Sequence, residues 1–273
     1  MKNAEVANVK KGVKKTVCIS LLVVFLVCLV VTELFGRQIF GGLTWTESAS
    51  AIATRMFGGA ACLMFVYIYS SKRMLSEKPK VSDLVIFLPC LAVAVNNFPF
   101  IPYINGEAYI DAQPLAVLIY ALICVSTAFF EELAFRGCIF TAILGYTKKG
   151  PLGVVLAIFL SSAFFGLAHA VNLFTGADPA SVLLQIGYSF LIGGMCSVVL
   201  VKTSNIWYCV VLHAVYNFAG GIVPACGGGV IWDTPTVVLT ASIAICVTAY
   251  VIYTLIKLNV SDVDRLLDCN KGE

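Results

Sequence analysis

Residues 115–142 read LAVLIYALICVSTAFFEELAFRGCIFTA. Sixteen residues pass without a charge, then Glu131, Glu132 and Arg136 arrive together, and the apolar run resumes. A helix that spans hydrocarbon takes about 20 mostly apolar residues. This run is long enough, and it carries three charges where each costs several kcal/mol. The stretch therefore predicts a membrane helix with ionisable groups held inside the bilayer.

The rest of the chain has the same character. Of its 273 residues 60% are hydrophobic and only 12% are charged, against about a quarter charged in a typical soluble domain. Apolar runs predict eight spans, at 17–36, 49–70, 82–100, 115–142, 151–173, 182–202, 206–224 and 235–257. The fold class expected is an all-α polytopic bundle forming one integral membrane domain over 1–273, with its motif-bearing core at about 115–220. Lys2, Lys10, Lys11, Lys14 and Lys15 precede the first run. That run is long enough to span and lacks a clean small-residue cleavage site, so it reads as a retained first helix. Pro99, Pro102 and Pro114 break the chain after the third run, residues 146–150 (YTKKG) turn it after the fourth, and Gly227 to Gly229 interrupt it before the eighth.

Charge tests this count. With eight spans, alternate ends starting from the N-terminus hold fifteen Lys and Arg, and the opposite ends hold only Arg37. Basic residues stay on the cytoplasmic side, so both termini are expected there. Arg55 and Arg136 fall inside spans. Nothing resembles a basic stripe with interleaved aromatics, so nucleic acid is not an expected partner; the lipid bilayer is. Eleven cysteines occur without a C-x-x-C pair, which argues against a zinc ribbon or a thioredoxin-type motif and for small apolar packing residues.

Glu132 and Arg136 are four residues apart, share a helical face and can pair. Glu131 points about 100° away and is the carboxylate left to face a cavity. Both histidines also lie inside spans: His169 in Phe165-Gly166-Leu167-Ala168-His169, and His213 in His213-Ala214-Val215-Tyr216-Asn217. Ser161, Ser162, Ala163, Gly166 and Ala168 mark a face for close helix contact. Asn96, Asn97 and Asn172 either line a wet cavity or cap helix ends. Taken singly, each of these polar residues could be a packing residue. Together, a carboxylate, two histidines and an amide are the parts of a general base and an oxyanion site.

The order E-E-x-x-x-R, F-x-x-x-H, H-x-x-x-N resembles the CAAX-processing and bacteriocin-processing (CPBP, or Abi) intramembrane endopeptidases, the family of the prenyl-protein endopeptidase Rce1. The resemblance implies an intramembrane protease in which Glu131 activates water and His169 shares that water. His213 and Asn217 would stabilise the oxyanion, with Glu132, Arg136 and Phe165 in support. It implies membrane-associated substrates: CAAX-type prenylated tails in eukaryotic relatives, bacteriocin or peptide precursors in bacterial ones. Short loops favour a bacterial cell membrane. No H-E-x-x-H is present, and a metal-free reaction is expected; the alternative is zinc on Glu131, His169 and His213. Two other readings use the same residues, a non-catalytic scaffold or self-immunity protein, and a small proton- or ion-coupled transporter. Counting along straight helices puts Glu131 and His169 roughly 24–29 Å from the inner turn but His213 only about 10–12 Å from its inner end, so the spans must be offset if these residues are to meet.

Overall fold

The computed structural model describes residues 20, 23, 27, 47–147, 150–258 and 260–267. The expected span at 17–36 lies outside these residues, apart from Ser20, Val23 and Val27, which are helical.

The protein is an all-α polytopic membrane protein. Helix α1 covers Glu47–Tyr69 and a short α2 covers Lys72–Ser76. A 3-10 turn, Val81–Asp83, leads into α3, Leu84–Asn96; α4 is Phe100–Ile104. Helix α5, Pro114–Glu132, continues through a π-helical segment, Leu133–Phe140, into α6, Thr141–Tyr146. Helix α7, Pro151–Ala168, ends in a 3-10 segment, His169–Thr175, before α8, Pro179–Thr203, and α9, Trp207–Cys226. Helix α10 is Thr234–Ile256 and α11 is Val260–Leu267. Six of these stretches are long and apolar enough to cross a membrane. They match six of the expected runs.

The third run, 82–100, is shorter than expected. Its helix ends at Asn96, and Pro99 then caps α4. The apolar helix over Val81–Asn96 therefore spans only about 24 Å. The fourth run is longer than expected: Pro114–Tyr146 is continuous for 33 residues, or about 50 Å, against a hydrocarbon thickness of about 30 Å.

Local chemistry sets the helix starts. Pro114, Pro151 and Pro179 stand in the first turns of α5, α7 and α8, and Pro235 in that of α10, where the missing N–H has no intrahelical partner to lose. Asp178 and Asp233 cap α8 and α10 by accepting from the amides of Ser181 and Thr236 at 2.9 Å each. Those bonds hold both carboxyls below their ordinary values. Ser204, in the left-handed region at φ 53°, ends α8. The Asn205 side chain then donates to the Glu77 carbonyl at 2.8 Å and accepts from the Trp207 amide at 2.9 Å.

Gly227 to Gly229 do more than interrupt the chain. They form strand β2, which pairs antiparallel with β1, Ala108–Ile110. A Cβ on Gly227 would strike the Tyr109 carbonyl, so glycine permits this close backbone approach. The ladder clips the start of α5 to the end of α9.

Lipid offers no hydrophobic drive between helices, so association rests on packing and polar contacts. Ser161, Ser162 and Gly166 of α7 are buried, whereas Ala163 is half-buried and Ala168 exposed. A Cβ on Gly166 would lie 2.7 Å from the Ile186 carbonyl oxygen of α8. Gly166→Ala gains about 1 kcal/mol of helix propensity but forces apart two backbones, at about 1–3 kcal/mol. We expect it to lower the melting midpoint in detergent. Gly187→Ala, with nothing within 4 Å of its Cβ, is expected to raise the midpoint, and equal effects of the two would refute close α7–α8 packing. Asn96 donates to Thr240 Oγ1 at 3.0 Å and Asn172 to Gln185 Oε1 at 2.8 Å, so these amides tie helices together. Cys62, Cys90, Cys124, Cys138, Cys196, Cys209 and Cys226 are buried free thiols, and Cys246 is exposed.

Candidate active site

The two glutamates close α5 and diverge as their spacing requires. Glu132 is fully buried, while the Glu131 side chain keeps 22% exposure. Arg136, one π turn later, places Nη1 3.0 Å from Glu132 Oε1, with 1% of its side chain exposed. A buried guanidinium of that size needs room. Gly193 of α8 supplies it, since a Cβ there would sit 2.8 Å from Arg136 Nη2.

Glu132 has a second partner that its spacing did not reveal. His213 of α9 places Nδ1 2.7 Å from the same Oε1. A carboxylate accepts, so Nδ1 carries the proton. Nε2 of the same ring then faces Glu131 Oε2 at 3.6 Å. The two glutamates thus hold opposite edges of one imidazole. The reading of Glu132 as a carboxylate occupied by Arg136 alone is too narrow; it also fixes the ring and tautomer of His213.

His169 sits where α7 becomes 3-10 helix. Its Nδ1 lies 3.0 Å from the Phe165 carbonyl. A carbonyl only accepts, so Nδ1 again carries the proton and Nε2 is left with its lone pair. Phe165 joins the parts. Its buried ring lies 5.2 Å from the His169 ring and 5.6 Å from His213, near perpendicular to both, and 4.8 Å from Phe135. Its face also receives the Arg136 guanidinium at 4.4 Å. One aromatic ring therefore spaces both histidines and the buried arginine.

Asn217 lies one turn beyond His213 on α9. Its side-chain amide makes no hydrogen bond among the described residues, but its backbone is held. Tyr120 Oη donates to the Asn217 carbonyl at 3.2 Å, and Asn97 Nδ2 donates to the Tyr216 carbonyl at 3.0 Å. Both side chains pass over Gly220 and Gly221, where any Cβ would collide with them. Adjacent glycines four residues before Pro224 were a legible sign of close approach, yet they could not name Asn97 and Tyr120. The Tyr188 and Tyr216 rings lie 6.0 Å apart beside this face.

The depth conflict is resolved by length. The 33-residue helix overshoots the hydrocarbon, so distance from the Tyr146 end does not measure depth in the membrane. His213 abuts both glutamates despite the unequal counts. A zinc centre fits less well. Glu131, His169 and His213 do not all bring a ligand atom within 4.8 Å of one another, whereas three zinc ligands at about 2.0–2.1 Å from the ion lie closer than that. No step is routed through a metal.

Residues 113–219, which contain Glu131, Glu132, Arg136, Phe165, His169, His213 and Asn217, match the family described as type II CAAX prenyl endopeptidase, Rce1-like. The match covers less than half of the chain. A stretch of 100 residues is also 33% identical to CAAX prenyl protease 2 of Saccharomyces cerevisiae, covering 33% of this chain and 32% of that protein. The chain thus spans about a third of the length of that curated relative. No solved structure matches. Within the Rce1-like segment α5, α7, α8 and α9 carry the site, while α3 and α4 lie outside it in sequence, and α3 ends against it through Asn97.

Proposed function

We propose that this chain is an intramembrane endopeptidase hydrolysing peptide bonds of membrane-associated substrates. The observation that carries the reading is the meeting of Glu131 and Glu132 on the two nitrogens of His213, with His169 held across the Phe165 ring. Glu131, the exposed carboxylate, takes a proton from water. His169 Nε2, bearing its lone pair, shares that water, receives the proton from Glu131 and passes it to the leaving amine as the C–N bond breaks. The hydroxide adds to the scissile carbonyl. The oxyanion is met by the Asn217 amide and by His213 Nε2–H, the ring being doubly protonated with its Nδ1–H on Glu132. Water, rather than a side chain, is the nucleophile, because the two thiols near Glu132, Cys196 and Cys209, are fully buried, whereas Glu131 keeps an open edge.

CAAX-type prenylated tails are the first substrate class proposed, since the Rce1-like match and the name of the yeast relative point the same way. Peptide precursors such as bacteriocins are the second. We place the chain in a bacterial cell membrane, with both termini cytoplasmic on the strength of its basic-residue asymmetry.

Purified full chain in lipid nanodiscs is offered a prenylated CAAX peptide, its unprenylated twin and a precursor-peptide library. Cleavage of the prenylated peptide is expected; failure to cleave any peptide refutes the endopeptidase reading. Asn217→Ala is expected to lower kcat by about 10²–10³-fold with KM little changed, as removal of one oxyanion donor does. A change confined to KM would place Asn217 in substrate binding instead.

A further inference from the structure

The Glu132 carboxylate has one oxygen engaged and one spare. Oε1 accepts from both Arg136 and His213. Oε2 is buried and has no hydrogen-bond partner. A buried acceptor left without a donor costs about 1–3 kcal/mol, and each such group in a native fold calls for an explanation. Two thiols stand beside it. Cys196 of α8 and Cys209 of α9 are both fully buried. One ligand atom from each of Glu132, Cys196 and Cys209 lies within 4.8 Å of the others. Among the described residues, no other trio of His, Cys, Asp or Glu meets that condition.

We propose that Glu132, Cys196 and Cys209 form a binding site for a thiophilic divalent cation, with zinc as its probe. The site lies next to the catalytic cluster but uses neither Glu131 nor His169.

Ligand type, distance and charge support it. Two sulfurs and a carboxylate oxygen are a donor set for zinc, with the ion about 2.3 Å from sulfur and about 2.0–2.2 Å from oxygen. Tetrahedral geometry at those lengths puts ligands about 3.5–3.8 Å apart, which small χ1 rotations reach from the present spacing. Calcium and magnesium are excluded by donor type, since they take six or more oxygen ligands and this trio offers one. The charge balance also closes. Zinc enters as a dication and each thiol releases one proton, so Zn²⁺ + 2 RSH gives Zn(SR)₂ + 2 H⁺. The buried net charge is unchanged, and Glu132 remains balanced by Arg136. A charged ion can therefore enter this dry site without adding an uncompensated charge.

Two simpler accounts explain less. As packing residues, Cys209 Sγ donates to the Cys196 carbonyl at 3.1 Å and Cys196 Sγ to the Cys209 carbonyl at 4.0 Å, which leaves Glu132 Oε2 unpartnered. A disulfide between them would need a two-electron oxidant and would leave the same oxygen unpartnered. A cation replaces the two thiol–carbonyl contacts with metal–sulfur bonds, gives the Glu132 carboxylate a further partner and ties α5, α8 and α9 together.

The test reads metal, not peptidase activity, so it stands or fails separately from the proposed function. Full chain is expressed in zinc-supplemented medium, purified in detergent, dialysed against a weak chelator and assayed for zinc per chain. About one zinc is expected in the wild type and in Cys62→Ala/Cys138→Ala, a second buried thiol pair in which Cys138 Sγ lies 3.9 Å from the Cys62 carbonyl. Cys196→Ala/Cys209→Ala is expected to lose it. X-ray absorption at the zinc edge of the wild type is expected to show two sulfur neighbours, which keeps the proposal testable if the double variant does not fold. Absence of stoichiometric zinc, equal zinc in both double variants, or a shell without two sulfurs overturns the site.

Discussion

Glu131→Gln is expected to lower kcat/KM for peptide cleavage by about 10³-fold, or about 4 kcal/mol of barrier, within the range assigned to a general base. Glutamine has the size of glutamate and keeps the hydrogen-bonding oxygen, but it cannot take a proton from water. The structure adds a second half to the expectation. Glu131 is partly exposed, and among the described residues its ion-pair contact is the 3.6 Å approach to His213 Nε2. Its neutralisation weakens only that long contact and leaves the 2.7 Å Glu132–His213 and 3.0 Å Glu132–Arg136 contacts in place, so unfolding stability should stay within about 1 kcal/mol of wild type. Activity lost with the fold intact is the signature of a chemical role. An active Glu131→Gln protein would refute Glu131 as base, and an unfolded one would make it structural. His169→Ala serves as the companion measurement, with a comparable loss expected.

Arg136→Met is expected to have the opposite signature, with a large loss of stability. Its guanidinium is 1% exposed and its partner Glu132 is fully buried. Removing one member leaves a carboxylate uncompensated in a dry site, at about 3–5 kcal/mol. The contact with the Phe165 face is lost as well. Glu132→Gln/Arg136→Met should recover most of this, because replacing both partners of a buried pair is often neutral, and glutamine can still accept from His213 Nδ1. The check is a double-mutant cycle on thermal unfolding in detergent, read with light scattering to exclude aggregation. If the single variant loses less than about 1 kcal/mol, or the double variant is as unstable as the single, the pair is not what holds α5. Because His213 depends on the same oxygen, Glu132→Ala should impair both stability and cleavage, whereas Glu131→Gln impairs cleavage alone.

Much of this was legible in the sequence because membrane helices announce themselves by length and apolarity. Six of the expected runs were placed to within a few residues, and the Glu132–Arg136 pair followed from a spacing internal to one helix. What was not legible depends on contacts between helices. Nothing in 131–136 says that a histidine 81 positions on will take the second lone pair of Glu132. Asn97 and Tyr120 reach α9 from two other helices, and only Gly220 and Gly221 hinted at it. The end of α3 was overrun because hydropathy continues through Phe98 and Phe100 after the helix has stopped at Asn96. The strand pair was missed because a three-glycine run carries no side-chain pattern. The role of Phe165 as the common neighbour of His169, His213 and Arg136 needed the ring to be placed in three dimensions.

The π-helical segment over Leu133–Phe140 bears on how this protein can change over time. A π turn takes more residues than an α turn, so this stretch holds extra chain for its length. Losing one residue while the π turns persist would rotate everything after it by a large angle relative to Glu131. Thr141, which accepts from Ser70 at 2.9 Å, would turn away from that partner. Side chains in this segment can drift within the limits of packing, but its count of residues cannot. What is inherited there is a length, and insertions and deletions are the lesions to which the site is most sensitive.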